Sequence, residues 1–118
     1  MVIGVYLLNY YKAVKVEEYI RQGWELYNEE KYDMAVSKFE KAIELYPENP
    51  MVHANLGYVH YLEDKYDLAI EEFEKGKEFF PTEPRMYHRI AASYYKLGKY
   101  DLAGKEFKEA IKLNPDYS

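Results

Sequence analysis

The chain has 118 residues, a length that suits one compact domain and leaves no room for a catalytic domain joined to a separate regulatory one. Apolar residues make up 48% and charged residues 31%, with 6 glycines and 5 prolines, which indicates a folded chain and not a disordered or collagen-like one. The net charge of -5 argues against broad binding of nucleic acid, and the absence of cysteine excludes disulfides, thiolate metal sites and cysteine nucleophiles.

The first fifteen residues form an apolar segment that carries no acidic side chain. Their apolar run is about ten residues long, half of what a helix needs to cross a bilayer. No positive charge precedes the run and no small-residue cleavage site follows it, so a secretory signal is a poor interpretation. We expect residues 1–15 to be an N-terminal extension that packs on protein and not in a membrane.

From residue 16 onward the sequence repeats every 34 residues. The segment KYDMA at 31–35 recurs as KYDLA at 65–69 and again at 99–103, and each copy is followed four residues later by a phenylalanine. A proline eight residues after each phenylalanine marks the end of a unit, because proline cannot continue a helix. The units are 16–49, 50–83 and 84–117.

Apolar residues recur at helical spacing within each unit, which predicts two antiparallel helices joined by a short turn. Asn49 and Pro50 form a start signal, since asparagine caps free N–H groups and proline suits the first helical position. We expect Asp33, Asp67 and Asp101 to cap the second helices likewise. Helices are predicted near residues 17–29, 33–45, 51–63, 67–79, 85–97 and 101–113.

Small residues at equivalent positions of the three units predict close packing within each helix pair. Gly23, Gly57 and Ala91 each precede the alanine of their unit by twelve residues, and we expect the phenylalanine to fill the space beside them. Gly104 lies inside a predicted helix, where glycine costs about 1 kcal/mol relative to alanine.

This pattern of Gly, then Ala-x3-Phe and a closing Pro resembles the tetratricopeptide repeat family. The resemblance covers residues 16–117 and implies an all-α fold, a right-handed superhelical solenoid of three helix pairs. It departs from the family pattern at a few positions: Tyr19, His53 and Tyr87 stand where tryptophan is common. It also implies that the first helices of the units line a concave groove, where a partner's peptide or helix lies.

The residues of the first helices that point away from the packing face are the candidates for this groove. They give it an aromatic floor and a basic end in an acidic protein, and Trp, Tyr and Arg often carry binding energy. We therefore expect a non-catalytic adaptor that binds an acidic or amphipathic peptide of another protein. The candidates are Ile20, Trp24, Tyr27, Asn28, Asn55, Tyr58, Tyr61, Arg85, His88, Arg89, Tyr95 and Lys96, together with Ala92 of the third unit.

Two narrower interpretations of the basic end remain open. One subgroup of the family grips the C-terminal carboxylate of chaperones through five polar residues, and Asn55, Arg85 and Arg89 match three of them. Ile20 and Trp24 stand where that subgroup has Lys and Asn, so the half that seizes the carboxylate is missing. Alternatively, the two arginines only pair with acidic residues of neighbouring helices.

No arrangement of residues indicates catalysis. The three histidines are not spaced four apart as in helical metal pairs, and no glycine-rich phosphate loop occurs. A cluster at Glu71, Glu72 and Glu74 is typical of a solvated helix face beside lysines. We expect no enzyme activity, no metal and no cofactor, and the charge also disfavours RNA binding by stacked aromatics.

A second hypothesis is structural. The ends of a helical solenoid need covering, so the protein could self-associate through its extension or through its last helix. The residues expected to mediate this association are Val5, Leu7 and Leu8 in the extension and Leu102, Phe107 and Ile111 in the last helix.

The composition also bears on location and source. A chain without cysteine fits a reducing compartment, and we expect a cytoplasmic protein. Glu and Lys supply most of the charge and Gln occurs once, a balance typical of proteins from very hot environments and of designed sequences.

Overall fold

The computed structural model describes residues 2–116, and these residues form six helices and no strand. Each odd-numbered helix packs on the even-numbered helix that follows it, and contacts of α2 with α3 and of α4 with α5 join the three pairs. The prediction of an all-α solenoid is confirmed. The helices are α1 (Val2–Asn28), α2 (Tyr32–Leu45), α3 (Pro50–Leu62), α4 (Tyr66–Phe79), α5 (Pro84–Lys96) and α6 (Tyr100–Leu113).

Helix α1 is much longer than the sequence predicts, whereas the other five agree to within a residue. It begins at Val2 and not near residue 17, because residues 2–16 contain no proline and only one glycine to stop a helix. Val16 is its first buried residue and packs with Ala42 and Val52, so residues before it continue past the end of α2. No helix within the described residues is both long and apolar enough to cross a membrane.

The caps of the first and second helices of each unit differ. The side chain of Asn49 accepts a hydrogen bond of 2.8 Å from the Met51 N–H with Pro50 at the first helical position, as predicted. The prediction for the second helices is wrong, since a lysine occupies each N-cap without a side-chain bond. The aspartates lie two residues after the N-cap, inside the first turn, where a carboxylate interacts favourably with the positive end of the helix dipole. They are Asp33, Asp67 and Asp101.

Glycine is required in the first two units by the phenylalanine rings. A Cβ atom added at Gly57 would lie 2.7 Å from Cδ1 of Phe73, and one at Gly23 would lie 2.7 Å from Cζ of Phe39. Both rings are fully buried, so each ring lies directly on the backbone of the first helix. The close approach predicted from the sequence is therefore between helix backbone and ring.

His53 joins two helices and a loop at the boundary between the first two units. Its Nδ1 lies 2.8 Å from Oε2 of Glu72, and its Nε2 lies 2.6 Å from the carbonyl oxygen of Pro47. Both partners accept hydrogen bonds, so both ring nitrogens donate and the imidazole is charged. The bond to Glu72 raises the pKa of His53. One unit later, the Tyr87 hydroxyl donates to the carbonyl of Pro81 at 2.7 Å, which repeats the helix-to-loop link.

Glu72 is largely buried, which corrects the prediction that it lies on a solvated face. Burial alone would raise the pKa of Glu72, but hydrogen bonds from His53 and Lys75 outweigh it and hold the pKa below its ordinary value. The carboxylate is thus charged and paired in the folded protein.

Candidate functional site

A cleft of about 300 Å³ opens between α3 and α5. Helix α5 packs against α4 and α6 and leaves a gap toward α3. Phe73 of α4 lies at the floor of this gap. The cleft brings together six of the predicted groove residues on two helices from neighbouring units. The residues that line it are Tyr58, Tyr61, Phe73, Arg85, His88, Arg89 and Ala92.

The size of one side chain explains why the cleft opens here. In the equivalent gap between α1 and α3, Tyr58 stands at the position that Ala92 has in the cleft. Tyr58 and Trp24 meet there with ring centroids 5.9 Å apart, and the indole N–H of Trp24 donates to Oδ1 of Asn55 at 3.0 Å. The first gap is therefore filled by side chains, whereas the methyl group of Ala92 leaves the second gap open.

Arg89 is stacked on the aromatic wall of the cleft. The carbon of its guanidinium group lies 5.2 Å from the ring centroid of Tyr58 and 6.0 Å from that of Phe73. Within the part of the chain that the structure describes, Arg89 forms no ion pair with a carboxylate. A guanidinium group that rests on an aromatic face keeps its N–H donors in the plane of the group, so a ligand in the cleft can accept them.

Arg85 is held at the start of its own helix. Its Nε donates to Oε1 of Glu83 at 3.0 Å, and its backbone N–H donates to the same oxygen at 3.1 Å. This hydrogen bonding from Arg85 holds the pKa of Glu83 below its ordinary value. Arg85 thus has a fixed position at the edge of the cleft, because Glu83 is both its ion partner and the N-cap of α5.

The predicted groove residues of the first unit are largely packing residues. Ile20, Trp24 and Tyr27 lie against the buried cluster around Phe39, and burial raises the pKa of Tyr27. Asn55 uses both ends of its amide within the chain, since Nδ2 also donates to the carbonyl of Met51 at 2.8 Å. The predicted groove is therefore filled by packed side chains at the first unit and is more open at the third unit.

The remaining candidates lie outside the cleft. Asn28 ends α1 and Lys96 ends α5, and both side chains are exposed. Tyr95 is 59% exposed and meets Tyr100 with ring centroids 5.2 Å apart. Phe73 is the cleft residue that sequence reasoning missed, because its place in the repeat assigned it to packing alone.

Metal chemistry has no support from the described residues, since no three His, Asp or Glu side chains among them are arranged to hold an ion. The cleft places two guanidinium groups and an imidazole beside three aromatic rings.

Two family models match the chain, both described as tetratricopeptide repeat, over residues 20–84 and 84–117. The chain belongs to the tetratricopeptide repeat family. Together the matches cover the three units except for residues 16–19. No curated protein matches the chain.

Several solved structures share this repeat fold. The N-terminal domain of stress-induced protein-1 from C. elegans superposes with a TM-score of 0.83 at 20% identity, covering 90% of this chain and 89% of that one. The first repeat domain of Spaghetti (RPAP3), bound to the HSP90 peptide SRMEEVD, gives 0.78 at 22% identity, with 86% and 81% covered. A structure of MamA gives 0.75 at 30% identity, and the match covers 85% of this chain and only 59% of MamA.

Proposed function

We propose that this chain is a protein-interaction module that binds an acidic or amphipathic peptide segment in the cleft between α3 and α5. Tetratricopeptide repeats generally serve protein interaction and not catalysis, which supports the class of function. The position of Arg89 carries the choice of ligand, because this guanidinium group is stacked on Tyr58 without a carboxylate partner in the described residues.

The cleft offers both kinds of contact that an amphipathic peptide needs. A carboxylate of the peptide that reaches Arg89 forms charge-assisted hydrogen bonds, each worth about 1.5 to 3 kcal/mol. An adjacent apolar side chain rests on the floor at Phe73 between Tyr58 and Tyr61. The volume of about 300 Å³ is at the lower end for ligand pockets, so it takes one or two anchoring side chains and leaves the rest of the peptide outside.

The charge of the surroundings favours an acidic ligand. Arg85, His88 and Arg89 all lie on α5, and Glu83 is engaged by Arg85. The guanidinium group of Arg89 is therefore the charge in this cleft that has no carboxylate partner among the described residues, and it attracts negative groups and disfavours positive ones.

Peptide titrations test the proposal. The probes are labelled acidic amphipathic heptapeptides that include SRMEEVD, the peptide bound to the repeat domain of Spaghetti, and SRMQQVN as its neutral counterpart. We expect at least one acidic peptide to bind, with an affinity about tenfold lower or more in Arg89→Ala. Fluorescence anisotropy gives the dissociation constants.

Arg21→Ala is the matched control for these titrations. Arg21 has the repeat position of Arg89 two units earlier, but it is exposed and pairs with Glu25 at 2.8 Å. Its loss should leave the affinity unchanged. The proposal is wrong if no acidic peptide binds, if the neutral peptide binds equally well, or if the two arginine variants behave alike.

Self-association is a second candidate function, favoured by two exposed apolar surfaces. Residues 2–14 of α1 are not covered by the domain, and on α6 Leu102 and Ile111 are 44% and 48% exposed. Phe107 contributes less, because it is half-buried against His88 with ring centroids 5.4 Å apart. Light scattering on the full chain tests this candidate, and a monomer at about 100 µM, above the dissociation constant of a specific dimer, would exclude it.

A further inference from the structure

The first thirteen described residues of α1, Val2–Val14, form a helical arm that stands beyond the domain. An arm that is apolar on all sides is stable in water only when another surface covers it. Nine large apolar side chains along the arm are between 45% and 76% exposed. They are Val2, Ile3, Val5, Tyr6, Leu7, Leu8, Tyr10, Tyr11 and Val14.

A second apolar surface lies at the end of the domain from which the arm emerges. The arm leaves the domain beside the C-terminal end of α2, since Val16 packs against Ala42. The ends of α2 and α4 and the loops after them form what we term the loop edge. Tyr46, Phe79 and Phe80 are 36%, 42% and 45% exposed there, and a cleft of about 560 Å³ lies between the loop 46–50 and Phe80.

We propose that two copies of this chain associate about a two-fold axis, each arm pairing antiparallel with the other arm and lying with its tip on the other copy's loop edge. This inference rests on the self-association proposed above and adds its surfaces and geometry. The arm and the loop edge lie at the same end of the domain. A two-fold axis therefore brings the arm of each copy to the loop edge of the other copy, and the assembly closes at two copies.

The charges of the two surfaces match. The tip of the arm is the N-terminal end of α1, where free backbone N–H groups carry partial positive charge and residues 2–16 include no acid, whereas the loop edge carries exposed carboxylates at Glu44, Glu48 and Glu78. The C-terminal ends of α2 and α4 add partial negative charge to that edge. Antiparallel arms also keep Lys12 and Lys15 of one copy apart from those of the other, whereas parallel arms would set them opposite each other.

The same carboxylates favour a second copy over a membrane as the cover for the arm. If the arm entered a lipid surface, the loop edge would face the headgroups, and Glu44, Glu48 and Glu78 would be repelled by anionic lipids. Against a second copy of the chain, these carboxylates instead meet the positive N-terminal end of the other arm.

The area needed for a stable dimer explains why both surfaces take part. The three tyrosines of the arm are 55% to 72% exposed and offer about 400 Å² together, at about 200 Å² for a whole aromatic side chain. The aliphatic side chains add a similar area, but a helix that packs on one neighbour covers only about half of its circumference. Arm pairing alone thus falls short of the roughly 800 Å² per partner that stable complexes bury, and the loop edge supplies the remainder.

Sedimentation velocity of the full chain tests the dimer, with Leu7→Glu as the arm variant and Leu68→Glu as its matched control. Leu68 is 44% exposed in the first turn of α4, at the opposite end of the domain from the loop edge. We expect wild type and Leu68→Glu to be dimers of equal affinity. Leu7→Glu should weaken the dimer about a hundredfold or more, because each dimer loses two buried leucines. Leu7 is 63% exposed in the single chain, so circular dichroism should show an unchanged fold.

Further variants separate this geometry from its alternatives. Phe80→Ser should weaken the dimer about tenfold or more, and a dimer insensitive to it contradicts the contact with the loop edge. A dimer that is broken by Ile111→Glu and not by Leu7→Glu overturns the arm geometry while self-association stands. A monomeric wild type overturns both. Binding of that monomer to vesicles of phosphatidylcholine and phosphatidylglycerol, lost in Leu7→Glu, identifies a membrane as the cover instead.

Discussion

Gly57→Ala and Gly104→Ala are the same substitution inside two helices, and we expect them to change stability in opposite directions. Alanine favours a helix over glycine by about 1 kcal/mol at both positions. A new Cβ at Gly104 has no atom within 4 Å, so this variant should gain most of that free energy. At Gly57 the Cβ would lie 2.7 Å from both Cδ1 and Cε1 of Phe73, well inside ordinary contact distance.

The ring of Phe73 cannot move away cheaply, because it is 1% exposed and packs with Met86 and Ile90 in a buried cluster. Overpacking of a well-filled core costs about 1 to 3 kcal/mol. The unfolding free energy of Gly57→Ala should therefore lie about 1 to 3 kcal/mol below that of Gly104→Ala, since the helix propensity cancels in the comparison.

Urea denaturation of the two glycine variants measures this difference directly. The third unit tolerates an alanine at the position equivalent to Gly57. This alanine is Ala91, and the ring of Phe107 beside it is only half-buried and has room to move outward. If Gly57→Ala proves as stable as Gly104→Ala, the ring of Phe73 does not lie on the backbone of α3 and the reasoning is refuted.

Three further predictions concern the unit boundary, the cleft and a cap. The pKa of His53 is raised above its unfolded value of 6.5, so its charged form stabilises the fold fully below that pH and the contribution is lost as the pH rises through the folded pKa. The pKa of Glu72 is lowered, so the stabilisation from its charged form is lost as the pH falls below about 4.5. His53→Gln should therefore lower the unfolding free energy most between pH 4.5 and 6.5, by on the order of 2 kcal/mol, as measured by urea titrations at several pH values. Ala92→Tyr should fill the cleft as Tyr58 fills the first gap, abolishing binding of acidic peptides while the melting temperature changes little; undiminished binding would place the site elsewhere. Asn49→Ala removes the cap of α3 and should lower the unfolding free energy by about 1 kcal/mol, and a change below a few tenths would show that the cap contributes nothing.

The repeat pattern predicts most of the fold, because its signals are local. The proline after each second helix and the KYD-x-A turn recur at fixed offsets, so the bounds of α2 to α6 follow from them. The start of α1 could not be predicted in this way. No stop signal separates Val2 from residue 17, and the helix therefore includes a segment that is exposed over most of its length in the part of the chain that the structure describes.

The cleft is predictable only in part, because it depends on distances between units. The helical period assigns Tyr58, Arg85 and Arg89 to the same groove, and the structure brings these side chains together across the cleft. Which of two equivalent gaps stays open depends on the indole of Trp24 reaching Asn55 across 31 residues of sequence. The hydrogen bond between His53 and Glu72 likewise cannot be predicted from the sequence, since the two residues lie on different helices.

Chemical-shift mapping of a bound acidic peptide tests most directly whether the cleft between α3 and α5 receives the ligand. On saturation with the tightest peptide from the titrations, the backbone amides around Tyr58, Arg89 and Ala92 should shift most. Those of the last turn of α2, in the first unit, should stay in place. Shifts confined to the arm or to α6, with the amides of the cleft unmoved, would contradict the assignment of this cleft as the binding site.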